Sequence, residues 1–189
     1  MHSNSASSSR SSSSRSFRRA LLWGGVTAGV LDIGAAIVLT VMRGAPVPRM
    51  LQGIASAVLG PVSFDLGPAT AALGLGMHFA IAFSWTALFL LAARRLPWLL
   101  RQPVPVGIAY GSLVYLAMYR VVLPLGAVVR SLYLANVDRV WPTLTLRMLL
   151  IHMGCVGLPI ALAAWRLAPR TEAVTRAALD PLPQPDRAS

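Results

Sequence analysis

The chain has 189 residues, of which 56% are hydrophobic and only 12% are charged, and its mean hydropathy is +0.64. Soluble globular domains carry about 25% charged residues, so this composition excludes an ordinary soluble domain and indicates an integral membrane protein. The net charge of +11 comes from 17 arginines without a lysine, against six acids. Because most of these arginines flank apolar runs, where basic residues set membrane orientation, we do not expect nucleic acid as a partner.

The first 42 residues predict a polar tail followed by a membrane-spanning helix. Residues 1–19 hold ten serines and no acid. Such a segment cannot bury enough apolar surface to become ordered, so we expect a disordered cytoplasmic tail. The apolar run over residues 20–42 exceeds the roughly 20 residues that a helix needs to cross the hydrocarbon core. Its Gly25-x-x-x-Gly29 spacing places two glycines on one face, where a neighbouring helix can approach closely.

Three further apolar runs are long enough to span the membrane, over residues 69–93, 104–129 and 146–168. The second of them repeats the close-packing motif as Gly107-x-x-x-Gly111. Residues 43–68 contain an apolar stripe that is too short to cross, which predicts a re-entrant or interfacial helix. The expected fold class is therefore all-α: a polytopic membrane protein with four transmembrane helices and a short helix between the first two. Residues 169–189 should form a mostly disordered tail.

The distribution of the arginines indicates how the helices are oriented. Eleven of the 17 lie on the side of the two termini and of the turn that holds Arg94, Arg95 and Arg101, and five lie on the other side. Basic residues concentrate on the cytoplasmic side of membrane proteins. We therefore expect both termini and this turn to lie in the cytoplasm, with the chain in a bacterial inner membrane.

Each predicted span carries one ionisable residue: Asp32, His78, Arg120 or His152. Counting along the helices places Asp32 near the bilayer midplane and the other three on its outer side. A charge at this depth costs about 3 kcal/mol on insertion scales, so we expect these groups, together with Tyr119, to share one polar pocket. Within it, Asp32 and Arg120 are expected to form an ion pair. The alternatives are that Asp32 is protonated, that Arg120 extends to the membrane surface and that the histidines are neutral interhelical hydrogen-bonders.

Two prolines predict kinks beside this pocket. Pro124 cannot donate to the carbonyl of Arg120, and Pro159 cannot donate to that of Cys155, so each leaves a free backbone acceptor. Cys155 and His152 supply only two of the four ligands that a structural zinc site takes. We therefore expect no metal site.

Four short motifs lie along helices two and three: His78 with residues 79–83, Arg95-Leu96-Pro97, Gly107-x-x-x-Gly111 and Leu123-Pro124-Leu125. Over this part, about a third of the chain, the sequence resembles the YagU-like family of small bacterial inner-membrane proteins. The resemblance implies four transmembrane helices and a loose association with acid tolerance. Tyr119 stands where that family tends to have a histidine, so the sequence departs from the family pattern at this position.

The sequence leaves three functions open, and none of them is enzymatic, because no nucleophile–base motif, acidic pair or phosphate loop occurs. The first is proton-linked transport or acid tolerance through the outward-facing pocket, since imidazole exchanges its proton near neutral pH. The second is a haem b protein with His78 and His152 as axial ligands. The third is a non-catalytic partner in a membrane assembly. Apart from that haem, we expect no cofactor. We expect the protein to contact the lipid bilayer and to associate with either a second copy of the chain or another membrane subunit.

Overall fold

The computed structural model of the protein describes residues 5–132, 134 and 143–168. Its helices follow one another in this order: α1 (Ser5–Met42), α2 (Val47–Leu59), α3 (Pro68–Arg95), α4 (Pro103–Ser131) and α5 (Leu146–Leu167). Short 3-10 turns, Gly60–Phe64 and Pro97–Leu100, precede α3 and α4. The described residues contain no strand, and four of these helices, all except α2, are long and apolar enough to cross a membrane. The predicted fold class is confirmed.

The start of α1 lies within the segment for which the sequence predicts a tail. The sequence predicts disorder over residues 1–19, whereas the helix begins at Ser5. Phe17 packs against the apolar core, and the guanidinium of Arg94 lies 4.2 Å from the centre of its ring. Because lengthening an existing helix costs far less than nucleating one, this anchor allows α1 to extend into the serine-rich segment. The predicted tail over residues 169–189 lies outside the described residues.

The apolar core lies in the half of the bundle next to the turn between α3 and α4. Its largest buried side chains include Phe89 and Leu90 on α3, Val114 on α4 and Ile160 on α5. Lipid is as apolar as these residues, so the helices associate through close packing rather than through withdrawal from water. The other half of the bundle contains the polar residues described below.

Glycines bring α4 and α5 into backbone contact. A Cβ added to Gly157 would fall on the carbonyl oxygen of Gly107 and on the amide nitrogen of Gly111. A Cβ added to Gly107 would lie 2.9 Å from the Cα of Leu158. The Gly107-x-x-x-Gly111 face therefore packs against α5, and Gly157 is its counterpart on that helix.

The glycine pair on α1 makes room for aromatic rings rather than for a second backbone. A Cβ on Gly29 would lie 2.6 Å from Cε1 of Phe79, and a Cβ on Gly25 would meet the ring of Phe83. The phenylalanines of α3 thus lie against the small-residue face of α1. The spacing predicted close approach, and the structure shows which side chains make it.

The two prolines produce π-helical turns. Met118–Val122 on α4 and His152–Gly157 on α5 are π-helical, and each ends just before Pro124 or Pro159. Leu123 donates its amide to the carbonyl of Met118, five residues earlier, as the wider π turn requires. Proline has no N–H, so it interrupts the α-helical hydrogen bonds between residues four apart. In a π turn, the hydrogen bonds join residues five apart instead.

Helix α2 packs across the ends of α3 and α4 that lie away from the Arg94–Arg101 turn. The backbone of Leu51 lies directly against Gly74 on α3, and Gln52 donates from Nε2 to the carbonyl of Gly67 at 2.9 Å. On α4, Arg130 donates from Nη1 to the carbonyls of Ser56 and Ala57, both at 3.1 Å. A cation at this position adds a donor to carbonyls in the last turn of α2, where Ser56 also accepts the amide of Gly60, and complements the helix dipole.

Arg130→Gln is expected to loosen α2 from α4. The substitution removes the cation and shortens the side chain that holds these two carbonyls, which should cost about 1–2 kcal/mol of unfolding free energy. The measurement is the unfolding midpoint in mild detergent. Arg43→Gln is the control, because Arg43 is an exposed arginine in the turn before α2. Equal midpoints for the two variants would show that the Arg130 contacts contribute nothing.

The orientation of the bundle stays a prediction from the arginine asymmetry. Reporter proteins fused at residue 100 and at the C terminus should both report the cytoplasm. A fusion at residue 45, in the turn between α1 and α2, is the matched control and should report the opposite side. A reversed pattern would contradict the assignment of the inner and outer ends used here.

Candidate functional site

A chain of aromatic rings connects α4 to α5 in the polar half of the bundle. The ring centres of Tyr115 and Tyr119 lie 4.6 Å apart, and those of Tyr115 and His152 lie 5.3 Å apart. Tyr115 and His152 are buried, and Tyr119 is half-buried. Residues 115 and 119 share a face because they are four apart on a helix, and α5 presents His152 to that face.

Asp32 on α1 adds a carboxyl group to this region. Its side chain is half-buried, α1 packs against the turn of α5 that holds His152 and Cys155, and the charge of Asp32 acts on Tyr119 and on Cys155. Three helices therefore contribute to one group of polar side chains, which we call the outer cluster: Asp32, Tyr115, Tyr119, His152 and Cys155. Two of its members, Asp32 and His152, were predicted from their depth in the membrane, and Tyr119 was predicted beside them.

Tyr115 is fixed by the residue that precedes α5. Its hydroxyl accepts a hydrogen bond from the amide of Thr145 at 2.6 Å and donates to the carbonyl of the same residue at 3.1 Å. The Thr145 side chain in turn accepts the amide of Met148 and caps the helix. The tyrosine therefore ties α4 to the first turn of α5, and its ring is held against His152.

The hydrogen bond of His152 defines its tautomer. Nδ1 lies 2.8 Å from the carbonyl oxygen of Met148. Because a carbonyl can only accept, Nδ1 carries the proton, and Nε2 of the neutral ring is left with its lone pair. A ring oriented in this way presents Nε2 as a hydrogen-bond acceptor or as a ligand atom.

His78 has the opposite arrangement. Its Nε2 lies 2.9 Å from the carbonyl of Gly29 on α1, so Nε2 carries the proton and joins the two helices. Gly29 precedes Asp32 by three residues, or about 4.5 Å along the helix axis. His78 therefore lies at the depth of the outer cluster. Its hydrogen bond to α1 agrees with the alternative that this histidine is a neutral interhelical hydrogen-bonder.

Arg120 does not join the cluster. It is exposed on α4, and no ion pair joins it to Asp32 among the residues that the structure describes. Consecutive helical residues point about 100° apart, so with Tyr119 facing the bundle its neighbour turns outward. The predicted Asp32–Arg120 ion pair does not form. The exposed position agrees with the alternative that Arg120 extends towards the membrane surface.

The histidines fit a haem only in part. A haem ligand commonly binds through Nε2 with Nδ1 bonded to a backbone carbonyl, and His152 has this arrangement. His78 would have to release Gly29 before its Nε2 could bind iron. Within the described part of the chain, no group of three or more His, Cys, Asp and Glu residues is placed to hold a metal ion. The cofactor prediction stays untested.

Tyr115 is the main residue of the site that the sequence interpretation did not identify. Tyrosine in an apolar helix is usually read as packing, and Tyr115 has no charge to mark it. The available signal was its spacing of four residues from Tyr119, on the face that also carries Gly107 and Gly111. A polar ring beside a close-packing face must touch the neighbouring helix.

The fold and the site together define the class of the protein: a four-span helical membrane protein with a polar cluster inside its spans. Comparison with family models, with curated proteins and with solved structures finds no match for the chain. The resemblance to the YagU-like family therefore stays a prediction from short motifs.

Proposed function

We propose that this protein moves or relays protons at the outer side of a bacterial inner membrane, through the outer cluster. The single observation that supports this best is the contact of the Tyr115 ring on α4 with both Tyr119 and His152, which groups polar side chains of two membrane-spanning helices beside Asp32 on a third. Lipid offers these groups no hydrogen bonds, so polar residues that meet in a membrane interior commonly mark ion or proton pathways.

Asp32 is the centre of the proposal. A short acid cannot extend to the membrane surface, and keeping it charged in hydrocarbon is costly unless a cation lies beside it. Arg120 is not that cation, and no described arginine forms an ion pair with the carboxyl group. An acid in this setting can exchange a proton with neighbouring hydroxyl and imidazole groups. Tyr119 provides such a neighbour, and the imidazole of His152 lies against the ring of Tyr115 in the same cluster.

The π turns support the same reading. Tyr119 lies in the π turn of α4, and His152 and Cys155 lie in the π turn of α5. A π turn shifts the register of the following helix and re-aims side chains, and such turns frequently occur at functional sites. Three of the five cluster residues therefore lie on segments with non-standard helix geometry.

The experiment is proton uptake into liposomes that contain the purified protein and a trapped pH-sensitive dye. Wild type should carry protons faster than protein-free liposomes, with a rate that depends on pH because an imidazole can act both as a proton acceptor and as a proton donor. His152→Phe should flatten this pH dependence. Leu150→Phe is the control, because Leu150 is exposed two residues earlier on the same helix. A pH profile that is the same in His152→Phe and wild type would overturn the role of this histidine.

A haem protein is the second candidate, favoured by the free Nε2 of His152. The test is the visible absorption spectrum of protein purified from cells supplied with a haem precursor. A haem band that is lost in both His78→Phe and His152→Phe would support two axial ligands. If haem is absent from folded wild-type protein, this candidate is excluded.

A further inference from the structure

A groove lies on the hairpin formed by α3 and α4, separate from the outer cluster and at the opposite end of the bundle. It has a volume of about 700 Å³. Its walls are mainly apolar and include Phe89, Ala109 and Leu113. Tyr110 also lines it, but the hydroxyl of this tyrosine is already donated to the carbonyl of Trp85 at 2.6 Å. The groove therefore offers apolar surface along its length.

The polar end of the groove is at the turn between the two helices. Arg101 and Gln102 line it there, beside the exposed ring of Trp98. Arg101 is exposed and has no ion pair or hydrogen bond from its side chain to any described residue. The only acids in the described part of the chain are Asp32 and Asp65, and both lie away from this turn. The positive charge at this end of the groove is thus not neutralised by the described residues.

The dimensions of the groove match one leaflet of a bilayer. From Pro103, where α4 begins, to Leu113 is ten residues, which corresponds to about 15 Å along the helix. Half of a hydrocarbon core of about 30 Å has the same depth. Trp98 lies at the level where indole rings mark the boundary between hydrocarbon and headgroups. An occupant would therefore have an apolar part about one leaflet long and a negative group at the level of Arg101.

We propose that this groove is a binding site for one anionic phospholipid, with an acyl chain against Phe89, Ala109 and Leu113 and the phosphate beside Arg101. The lipid belongs to the leaflet that faces the Arg94–Arg101 turn, whichever side of the membrane that is. Soluble apolar ligands would leave the arginine without a partner, and a zwitterionic lipid would neutralise it less completely. The proposal does not depend on proton movement through the outer cluster.

The experiment is native mass spectrometry of the protein released from nanodiscs that contain equal amounts of phosphatidylglycerol and phosphatidylcholine. Wild type should retain one lipid, with phosphatidylglycerol preferred about fivefold, the advantage that one arginine gives at an anionic surface. Arg101→Gln should retain a lipid but lose the preference. Ala109→Phe, which fills the groove, should lose the retained lipid.

Two matched variants keep the test specific to the groove. Arg43→Gln removes an exposed arginine at the opposite end of the bundle, and Ala80→Phe adds a ring at an exposed position of α3 outside the groove lining. Both should retain phosphatidylglycerol as wild type does. Equal retention of the two lipids by wild type, or retention of the lipid by folded Ala109→Phe, would overturn the proposal.

Discussion

Gly157→Ala should strongly destabilise the bundle, with a loss of about 3 kcal/mol in unfolding free energy. The added methyl would overlap the carbonyl of Gly107 and the amide of Gly111. Both contacts are backbone atoms of α4, so no side chain can rotate away, and the two helices must separate. That separation also pulls Tyr115 from Thr145, which lies along the same interface.

The control for this prediction lies three residues away on the same helix. Gly154 is exposed and has open space around the position of an added Cβ. Gly154→Ala should therefore leave stability unchanged or raise it slightly, because alanine has the higher helix propensity. Unfolding midpoints in detergent compare the two variants directly. If both variants matched wild type, α4 and α5 would not approach as closely as described.

Asp32→Asn is expected to have the largest effect on function, a loss of at least about tenfold in proton uptake by liposomes. Asparagine keeps the size and hydrogen-bonding ability of the side chain and removes only its ability to exchange a proton. The fold should be retained, since no paired cation is left behind in the membrane. Asp65→Asn is the control, because Asp65 is exposed in the turn before α3. Unchanged uptake in Asp32→Asn would remove the acid from the mechanism.

The four spans could be predicted from the sequence because the bilayer imposes a simple length requirement. The predicted runs over residues 69–93, 104–129 and 146–168 agree with α3, α4 and α5 to within two residues at each end. The number of consecutive apolar residues can be counted in the sequence, and it does not depend on which other helices a span packs against. The short helix before α3 was predicted for the same reason, as an apolar stripe too short to span.

The residues that form the site were harder to predict. The depth of a residue in the membrane does not determine whether its side chain points into the bundle or towards lipid. Arg120 and Tyr119 lie at the same depth, and only the register of α4 decides which of them turns inward. Both residues lie within the π turn Met118–Val122, whose wider geometry changes the direction in which each side chain points. Proline predicted a disruption there, but its position alone does not distinguish a kink from a π turn.

The start of α1 at Ser5 is likewise a feature that composition alone does not predict. Composition describes what a segment can bury by itself, whereas the serine-rich segment continues a helix that is already anchored by Phe17 and Arg94. Tertiary contacts of this kind are not visible in local composition.

The most direct test of the outer cluster is a cross-link to Cys155, which is the only cysteine in the chain. Asp32→Cys should join to it through a short bifunctional thiol reagent in native membranes, because both positions are half-buried and α1 packs against the turn of α5 that holds Cys155. Val30→Cys on the lipid-facing side of α1 and Arg120→Cys on α4 should not. An intramolecular cross-link in Asp32→Cys alone is the predicted result. A cross-link in Arg120→Cys together with none in Asp32→Cys would contradict the arrangement of the cluster.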